Sequence, residues 1–268
     1  MIKLIATDMD GTLLNSDKQP PADFELVLDE LDCRGIAFAA ATGRDHTSVC
    51  RNLGAAAERM MFLCDNGASL YRGMQLLEAH PLPHDLLPRI WEVLQNTHAV
   101  NALLCAEKNR YCTSADEQFA RQMTRHYRNT DFRASPVDIT EPLFKISVWY
   151  PDEDIEEAVL QPLCTALGTE ATVLHSAKAW IDIMAGGVDK GAGLQRLGAL
   201  LGVGKDEIMA FGDFYNDIPL LEAAGHPFIM PNAPLELQEK YPLAAADWMH
   251  GGVTQTIRRE ILDAKSSW

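Results

Sequence analysis

The chain has 268 residues, 47% hydrophobic and 23% charged, with a formal net charge of −15. That composition belongs to an ordinary globular protein long enough for one large domain or two smaller ones, and its acidity argues against nucleic acid or an anionic membrane as a partner. The first apolar run is a few residues long and is broken by Asp8, and no run approaches the roughly 20 apolar residues of a membrane span, so no signal peptide or span is read and a cytoplasmic location is expected.

The run Ile2, Leu4, Ile5, Ala6 predicts a buried strand that leads into Asp8-Met9-Asp10-Gly11-Thr12. Open α/β sheets place ligands outside the carboxyl ends of their strands, where these two acids stand. Residues i and i+2 share a side of an extended segment, so Asp8 and Asp10 can face one cleft, while Gly11 permits a tight turn and Thr12 adds a hydroxyl. Two nearby anions repel unless a cation lies between them. The physical expectation is a hard divalent ion, Mg²⁺ first, which joins one or two carboxylates to a substrate phosphate. A lone D-x-D is by itself more often a polar turn with a capping Asp.

Phe24, Val27, Leu28 and Leu31 predict a helix closed by Arg34-Gly35, Ile36 to Ala41 a second strand ending in Thr42-Gly43-Arg44, and Asp45 the cap of a helix through about Leu53. Met60 to Cys64 predicts a third strand before the turn Asp65-Asn66-Gly67. Alternating strands and helices imply a parallel sheet. A hairpin about Gly73 and the breaks at Pro81 and Pro83 then mark a separate unit. Its predicted elements are a helix from Leu86 to Leu94, strands at Val100 to Cys105 and Tyr111 to Thr113, and a polar helix from Asp116 to about Arg128. A strand at Lys145 to Tyr150, a helix at Ile155 to Leu167, and paired strands at Thr172 to His175 and Trp180 to Met184 complete it. That is an α+β unit with neighbouring antiparallel strands. The parallel pattern returns at Gly186-Gly187, with a helix behind Val188-Asp189-Lys190-Gly191 and a strand from Ile208 to Phe211 running into Gly212-Asp213-Phe214-Tyr215-Asn216-Asp217. Phe228 to Met230 and Ala244 to Ala246 predict two last strands, and Val253, Ile257 and Ile261 a last helix. The six cysteines show no C-x-x-C, read as mostly reduced, packed thiols, and make zinc improbable.

Five signals therefore stand at strand ends in one order: D-M-D-G-T, T-G-R, D-N-G, a Lys opening a helix, and G-D-x-x-N-D. In this the chain resembles the haloacid dehalogenase superfamily of aspartate-nucleophile phosphohydrolases, and within it the Cof-type sugar-phosphate phosphatases. Met1-Ile2-Lys3-Leu4, Asn66-Gly67-Ala68, Pro231-Asn232-Ala233 and Gly252-Val253 extend the likeness over nearly the whole length. The resemblance implies a Rossmann-like parallel-sheet core, residues 1–82 and 187–268, with an inserted α+β cap, residues 83–186, that selects substrate.

It also implies roles. Asp8 would be the nucleophile that forms an aspartyl-phosphate, and Asp10 the acid and then the base. Mg²⁺ would be held by Asp8, the Asp10 carbonyl and Asp213, with Asn216 and Asp217 in support. Thr42 and Lys190 would act on the phosphoryl oxygens, and Gly43, Arg44, Asn66 and Asn216 would contribute to substrate binding. Arg44 is also read as a tie for its loop, Asn66 as an ordinary turn residue, and Asn216 and Asp217 as helix caps. In the insert, Arg110, Lys145, Lys178 and Trp180 are candidate contacts, each with a structural role as its alternative. Asp217-Ile218-Pro219-Leu220-Leu221 departs from the methionine-containing form frequent in the family, which hardly touches the chemistry because Pro suits a first helical turn. The resulting expectation is a Mg²⁺-dependent phosphatase of small phosphorylated metabolites, sugar phosphates first, with no reading of oligomeric state. Its alternatives are a narrow-specificity phosphatase, for pyridoxal phosphate or a sugar-glycerate or sucrose phosphate, and a phosphoacceptor signalling domain. The second acid at Asp10 and the large insert weigh against signalling. A silent binding protein would lack Asp8, Asp10 or Asp213, and all three are present.

Overall fold

A computed structural model describes residues 1–114, 116–126, 130–244 and 246–263. The chain folds as two compact units, Met1–Glu78 with Asp189–Trp268, and Ala79–Val188. The first begins with β1 (Leu4–Thr7), buried throughout. α1 (Phe24–Cys33) buries Phe24, Val27, Leu28 and Leu31, the three-and-four spacing of one helix face. β2 (Ala37–Ala41) precedes α2 (His46–Leu53), where Asp45 accepts a hydrogen bond from the Ser48 amide at 3.0 Å and so satisfies one orphan donor of the first turn. β3 (Met61–Cys64), β4 (Ser69–Arg72) and β5 (Gln75–Ala79) follow.

The inserted unit contains α3 (Leu87–Asn96), β6 (Ala102–Ala106), β7 (Arg110–Cys112), α4 (Glu117–His126), β8 (Thr130–Phe132), β9 (Leu143–Trp149), α5 (Gln161–Leu167), β10 (Ala171–Ala177) and β11 (Trp180–Ala185). Its sheet runs β10-β11-β9-β6-β7-β8, antiparallel except for the β7–β8 pair. Alternation along the strands puts Leu104, Ile146, Val148, Ile181 and Ile183 in one apolar cluster with Leu87, Ile90 and Leu94 of α3 and Leu163 and Leu167 of α5. The intervening residues Lys145, Ser147 and Asp182 are buried together, with Lys145 Nζ 3.3 Å and Ser147 Oγ 2.6 Å from the Asp182 carboxylate.

Several local expectations change here. β8 has only three residues, too short to show a period in the sequence. The helix expected over Ile155–Leu167 opens as a π-helical turn, Glu156–Leu160, before α5. The polar helix is described through His126, and its expected extension through residues 127–128 lies outside the described residues. Arg110 donates to the carbonyls of Ala106 and Asn109 at 2.6 and 2.8 Å, Lys178 is exposed in the turn between β10 and β11, and the Trp180 ring lies 6.4 Å from that of Phe119.

The chain returns to the first unit with α6 (Lys190–Leu201), β12 (Ile208–Gly212), α7 (Ile218–Ala223), β13 (His226–Ile229), α8 (Leu235–Lys240) and α9 (Gly252–Ile257). The sheet order is β13-β12-β1-β2-β3-β4-β5. The strands from β13 to β3 are parallel, and β4 is antiparallel to β3. The strand expected at Ala244–Ala246 is represented by a bridge between Ile229 and Leu243, and residue 245 lies outside the described residues.

Alternate residues of the strands feed two apolar clusters. Ile5, Phe38, Phe62 and Phe211 cluster with residues of α1, α2 and α9. Leu4, Ala39, Leu63 and Ala210 cluster with residues of α6, α7 and α8. Each large side chain so buried contributes roughly 1.5–3 kcal/mol. Burial on both sides is why these strands read as continuous apolar runs. From β1 the sheet extends one way to β2 and the other way to β12, a switch point whose carboxyl edge is the place for a ligand.

Among the described residues, no helix is long and apolar enough to cross a membrane. The cysteines are free thiols, and Cys33 and Cys164 are exposed, unlike the packed setting expected for them.

Candidate active site

Asp8 is the first residue beyond β1, and its amide donates to the Phe211 carbonyl of β12 at 2.9 Å. Lys190 opens α6, whose N-cap Asp189 accepts from the Ala192 amide at 2.7 Å. Only 1% exposed, Lys190 donates to Asp8 Oδ1 and to Asp217 Oδ1, each at 2.6 Å. The second Asp217 oxygen accepts from the Asp213 and Phe214 amides at 3.0 and 3.2 Å, which fixes the turn after β12. Asp213 accepts from Thr12 Oγ1 and from Asn232 Nδ2, both at 3.2 Å, and Asn232 also donates to the Gly11 carbonyl at 2.9 Å. Carboxylate oxygens of Asp8, Asp213 and Asp217 lie within 4.8 Å of one another.

Gly11 makes this approach possible. Its φ is +83°, and a Cβ there would stand 2.4 Å from Asp213 Oδ2. Gly11→Ala is expected to destabilise the chain by roughly 1–3 kcal/mol, from left-handed strain and displacement of Asp213. A calorimetric melting curve checks this, and an unchanged melting temperature would mean the turn gives way.

Three acids face one ammonium group, and the electrostatics reflect the mismatch. Burial works against the Lys190 charge, yet Asp217 and Asp8 outweigh it and keep the amine protonated. Burial raises the Asp8 carboxyl well above its usual range, and Asp217 and Asp213 add to the rise against the pull of Lys190. Asp213 is pushed up to about 7, first by burial and then by Asp217. An all-oxygen donor set with excess negative charge fits a hard divalent cation. Among the described residues, Asp217 is engaged by the Lys190 ammonium on one oxygen and by two backbone amides on the other, whereas Asp213 accepts on each oxygen only from a neutral side chain at 3.2 Å and Asp8 accepts from Lys190 on one oxygen, so Asp8 and Asp213 are the carboxylates that fit the first coordination positions. Asn216, half-buried in the same turn, makes no side-chain bond to these acids among the described residues.

Asp10 belongs to a second group. Its Oδ1 accepts from Arg44 Nη2 and, at 2.5 Å, from Lys18 Nζ. Burial acts to raise this carboxyl, but Arg44 and Lys18 outweigh it and hold the group below its usual range. Thr42 is buried one residue beyond β2, and its hydroxyl oxygen accepts from the Arg44 amide at 3.1 Å. Asn66 is fully buried at φ 57°, its amide donates to the Thr42 carbonyl at 2.9 Å, and a Cβ on Gly43 would lie 3.1 Å from its Oδ1. Asp65 at φ 50° and Gly67 at φ 92° continue a left-handed stretch, a strained backbone of the kind found at functional loops. The three strand-end turns at residues 8–12, 42–44 and 65–67 thus interlock through backbone bonds and Asp10.

Lys18, Asn52 and Arg196 escape the sequence reading, which names Asn232 within the Pro231-Asn232-Ala233 motif but gives it no role. Arg196 Nη2 donates to the Gly67 carbonyl at 2.6 Å and so ties α6 to the third turn. Only Asn232 had a sequence signal, the Pro-Asn turn after a predicted strand end.

Comparison with known proteins agrees with this geometry. Residues 5–257 match the sequence profile of the haloacid dehalogenase-like hydrolases. A Cronobacter sakazakii HMP-PP phosphatase is 30% identical over 254 residues, 90% of this chain and 89% of that protein. An Escherichia coli protein, 5-amino-6-(5-phospho-D-ribitylamino)uracil phosphatase YbjI, is 28% identical over 234 residues, 87% of this chain and 86% of that one. The crystal structure of SMU.1108c from Streptococcus mutans superposes with a TM-score of 0.89 at 26% identity, covering 97% of this chain and 98% of that one. The chain belongs to the haloacid dehalogenase-like hydrolases. Within that family it is a Cof-type phosphatase, a phosphoric monoester hydrolase.

Proposed function

We propose that this chain hydrolyses small phosphorylated metabolites, sugar phosphates first, in a Mg²⁺-dependent reaction with a phosphoryl group carried on Asp8. The observation that carries the reading is the Lys190 bridge between Asp8 and Asp217, with Asp213 beside them, at the carboxyl edge of β1 and β12. Asp8 attacks phosphorus as the ester P–O bond breaks, and the departing alkoxide takes a proton from Asp10. Water then attacks the acyl phosphate and gives a proton to Asp10, and the bond from phosphorus to Asp8 breaks to release phosphate. Ionised Asp10 is the form needed for that second half. An arriving phosphoryl dianion opposes the negative charge of Asp10 and favours the protonated form needed for the first. Lys190, already protonated, neutralises charge on Asp8 and on the phosphoryl oxygens, and the Thr42 hydroxyl, which accepts from Arg44, retains its proton for donation to them.

Asp8, Asp213 and the Asp10 carbonyl would hold Mg²⁺, which when bound supplies the charge that lets one anion approach another. The inserted unit, Ala79–Val188, is on this reading the substrate-selecting cap.

Removal of metal with EDTA is expected to abolish phosphate release and Mg²⁺ to restore it, and a metal-independent rate would contradict the assignment. Because the Asp213 carboxyl is raised to about 7, proton and cation compete for it below that pH. The rise in melting temperature caused by Mg²⁺ is therefore expected to be larger at pH 8 than at pH 6, and an equal rise at both would show that protonation of the acids does not compete with the cation in this range.

A panel of phosphate esters assayed with Mg²⁺ at neutral pH tests the substrate class. Each of the two relatives is named for one compound, which favours a second reading with one narrow substrate. The panel includes those compounds, pyridoxal phosphate, and sugar-glycerate and sucrose phosphates. Activity concentrated on one of them by orders of magnitude would overturn the broad reading.

A further inference from the structure

Two cations from separate segments meet one oxygen of Asp10, and the backbone is strained to bring one of them there. Lys18 has φ +59°, the left-handed region that a side-chain-bearing residue rarely adopts. Asn15 enforces that conformation. Its side chain accepts from the Asp17 and Gln19 amides at 2.9 and 3.0 Å, and its carbonyl accepts from the Lys18 amide at 2.9 Å. Asn52, near the end of α2, completes the frame: its Nδ2 donates to the Lys18 carbonyl at 3.1 Å, and its Oδ1 accepts from Arg44 Nη1 at 2.9 Å. One amide side chain therefore links the backbone that carries Lys18 to the guanidinium of Arg44. Both cations bind Asp10 Oδ1, whereas Oδ2 makes no bond to a described residue, and the Asp10 side chain is 38% exposed. A strained conformation that its surroundings over-determine points towards a role at the site.

We infer that Lys18, Asn52 and Arg44 are positioning residues that lock the Asp10 carboxyl group by Oδ1 and leave Oδ2 as the oxygen that exchanges the proton. The inference rests on the acid–base reading of Asp10. Its chemical content is orientation: a carboxyl group free to rotate presents either oxygen at any angle, whereas a locked one meets the leaving oxygen in a single geometry, and small misplacements are expensive in rate.

Phenyl phosphate and p-nitrophenyl phosphate are close in shape, but phenolate is the more basic leaving group and depends more on a proton from Asp10. The ratio of kcat/KM on phenyl phosphate to kcat/KM on p-nitrophenyl phosphate covers the steps up to loss of the leaving group and excludes hydrolysis of the acyl phosphate common to both, so it reads proton delivery and is insensitive to general loss of active protein. Lys18→Met and Asn52→Ala are each expected to lower that ratio by about 10-fold, within the 10²- to 10⁴-fold that complete loss of general acid catalysis removes. Lys18→Arg, which can still reach Oδ1 with a charged donor, is expected to restore most of it. Equal loss on both substrates, or an unchanged ratio, would overturn the positioning role. Asp10→Asn separates the two levels. If it collapses the ratio while Lys18→Met does not, only the lock fails. If Asp10→Asn leaves the ratio unchanged, the acid assignment fails and the lock with it.

Discussion

Asp8→Asn is expected to abolish turnover, by on the order of 10⁴-fold or more, while leaving the fold intact. The amide has nearly the shape of the carboxylate but lacks the charge and basicity of a nucleophile, and losses of this order accompany removal of a covalent catalyst. The same substitution relieves a crowded site. Burial and the facing Asp217 and Asp213 disfavour the charge on Asp8, and Lys190 keeps Asp217 as its partner when Asp8 becomes neutral. In metal-free buffer the variant is therefore expected to melt no lower than the parent. Circular dichroism melting beside a phosphate-release assay reads both arms, and full activity in the variant would refute the nucleophile assignment.

Lys190→Met is expected to damage catalysis and stability together. The ammonium is 1% exposed and is the bridge between Asp8 and Asp217. Methionine fills similar volume but leaves two buried carboxylates without a counter-charge and removes the donor to Oδ1 of each. Breaking a buried pair by removing one partner costs about 3–5 kcal/mol, which for a chain of this size corresponds to a fall in melting temperature of roughly 10 °C. Turnover is lost as well, because the substituted side chain cannot stabilise charge on the phosphoryl oxygens. Added Mg²⁺ should recover part of the stability by supplying positive charge between the acids, but little of the rate. A variant that melts like the parent without metal would show that another group neutralises Asp8 and Asp217.

What the sequence reveals about this site follows from the period of its strands and the chemistry of its turns. The runs before Asp8, Thr42, Asp65 and Asp213 are apolar because both faces of β1, β2, β3 and β12 are covered, so the acids and hydroxyl that interrupt them mark strand ends directly. Asp45 announces its helix because a side-chain oxygen at the N-cap satisfies an amide of the first turn, and the structure gives Asp189 the same role at α6. The contacts that escape detection join distant residues through side chains alone. Arg44 reaches Asp10 across 34 positions, and Asn232 reaches Gly11 across 221. No period or spacing encodes such pairs, since they depend on how turns from different strands settle against each other. Asp217 is legible as an acid near a strand end, but its double service, to Lys190 and to the amides of its own turn, emerges only in three dimensions. In the inserted unit the legible part is likewise the apolar alternation, whereas the π-helical turn at Glu156–Leu160 arises in a segment whose apolar spacing reads as ordinary helix.

The central claim is that phosphorus becomes bonded to Asp8 during turnover. Rapid acid quenching of the enzyme with Mg²⁺ and a ³²P-labelled phosphate ester, followed by peptide mapping, tests it most directly. The account predicts transient label on the peptide containing Asp8, stable in acid and released by hydroxylamine as an acyl phosphate is. Label on a different residue, or turnover with none of the protein labelled, would contradict it.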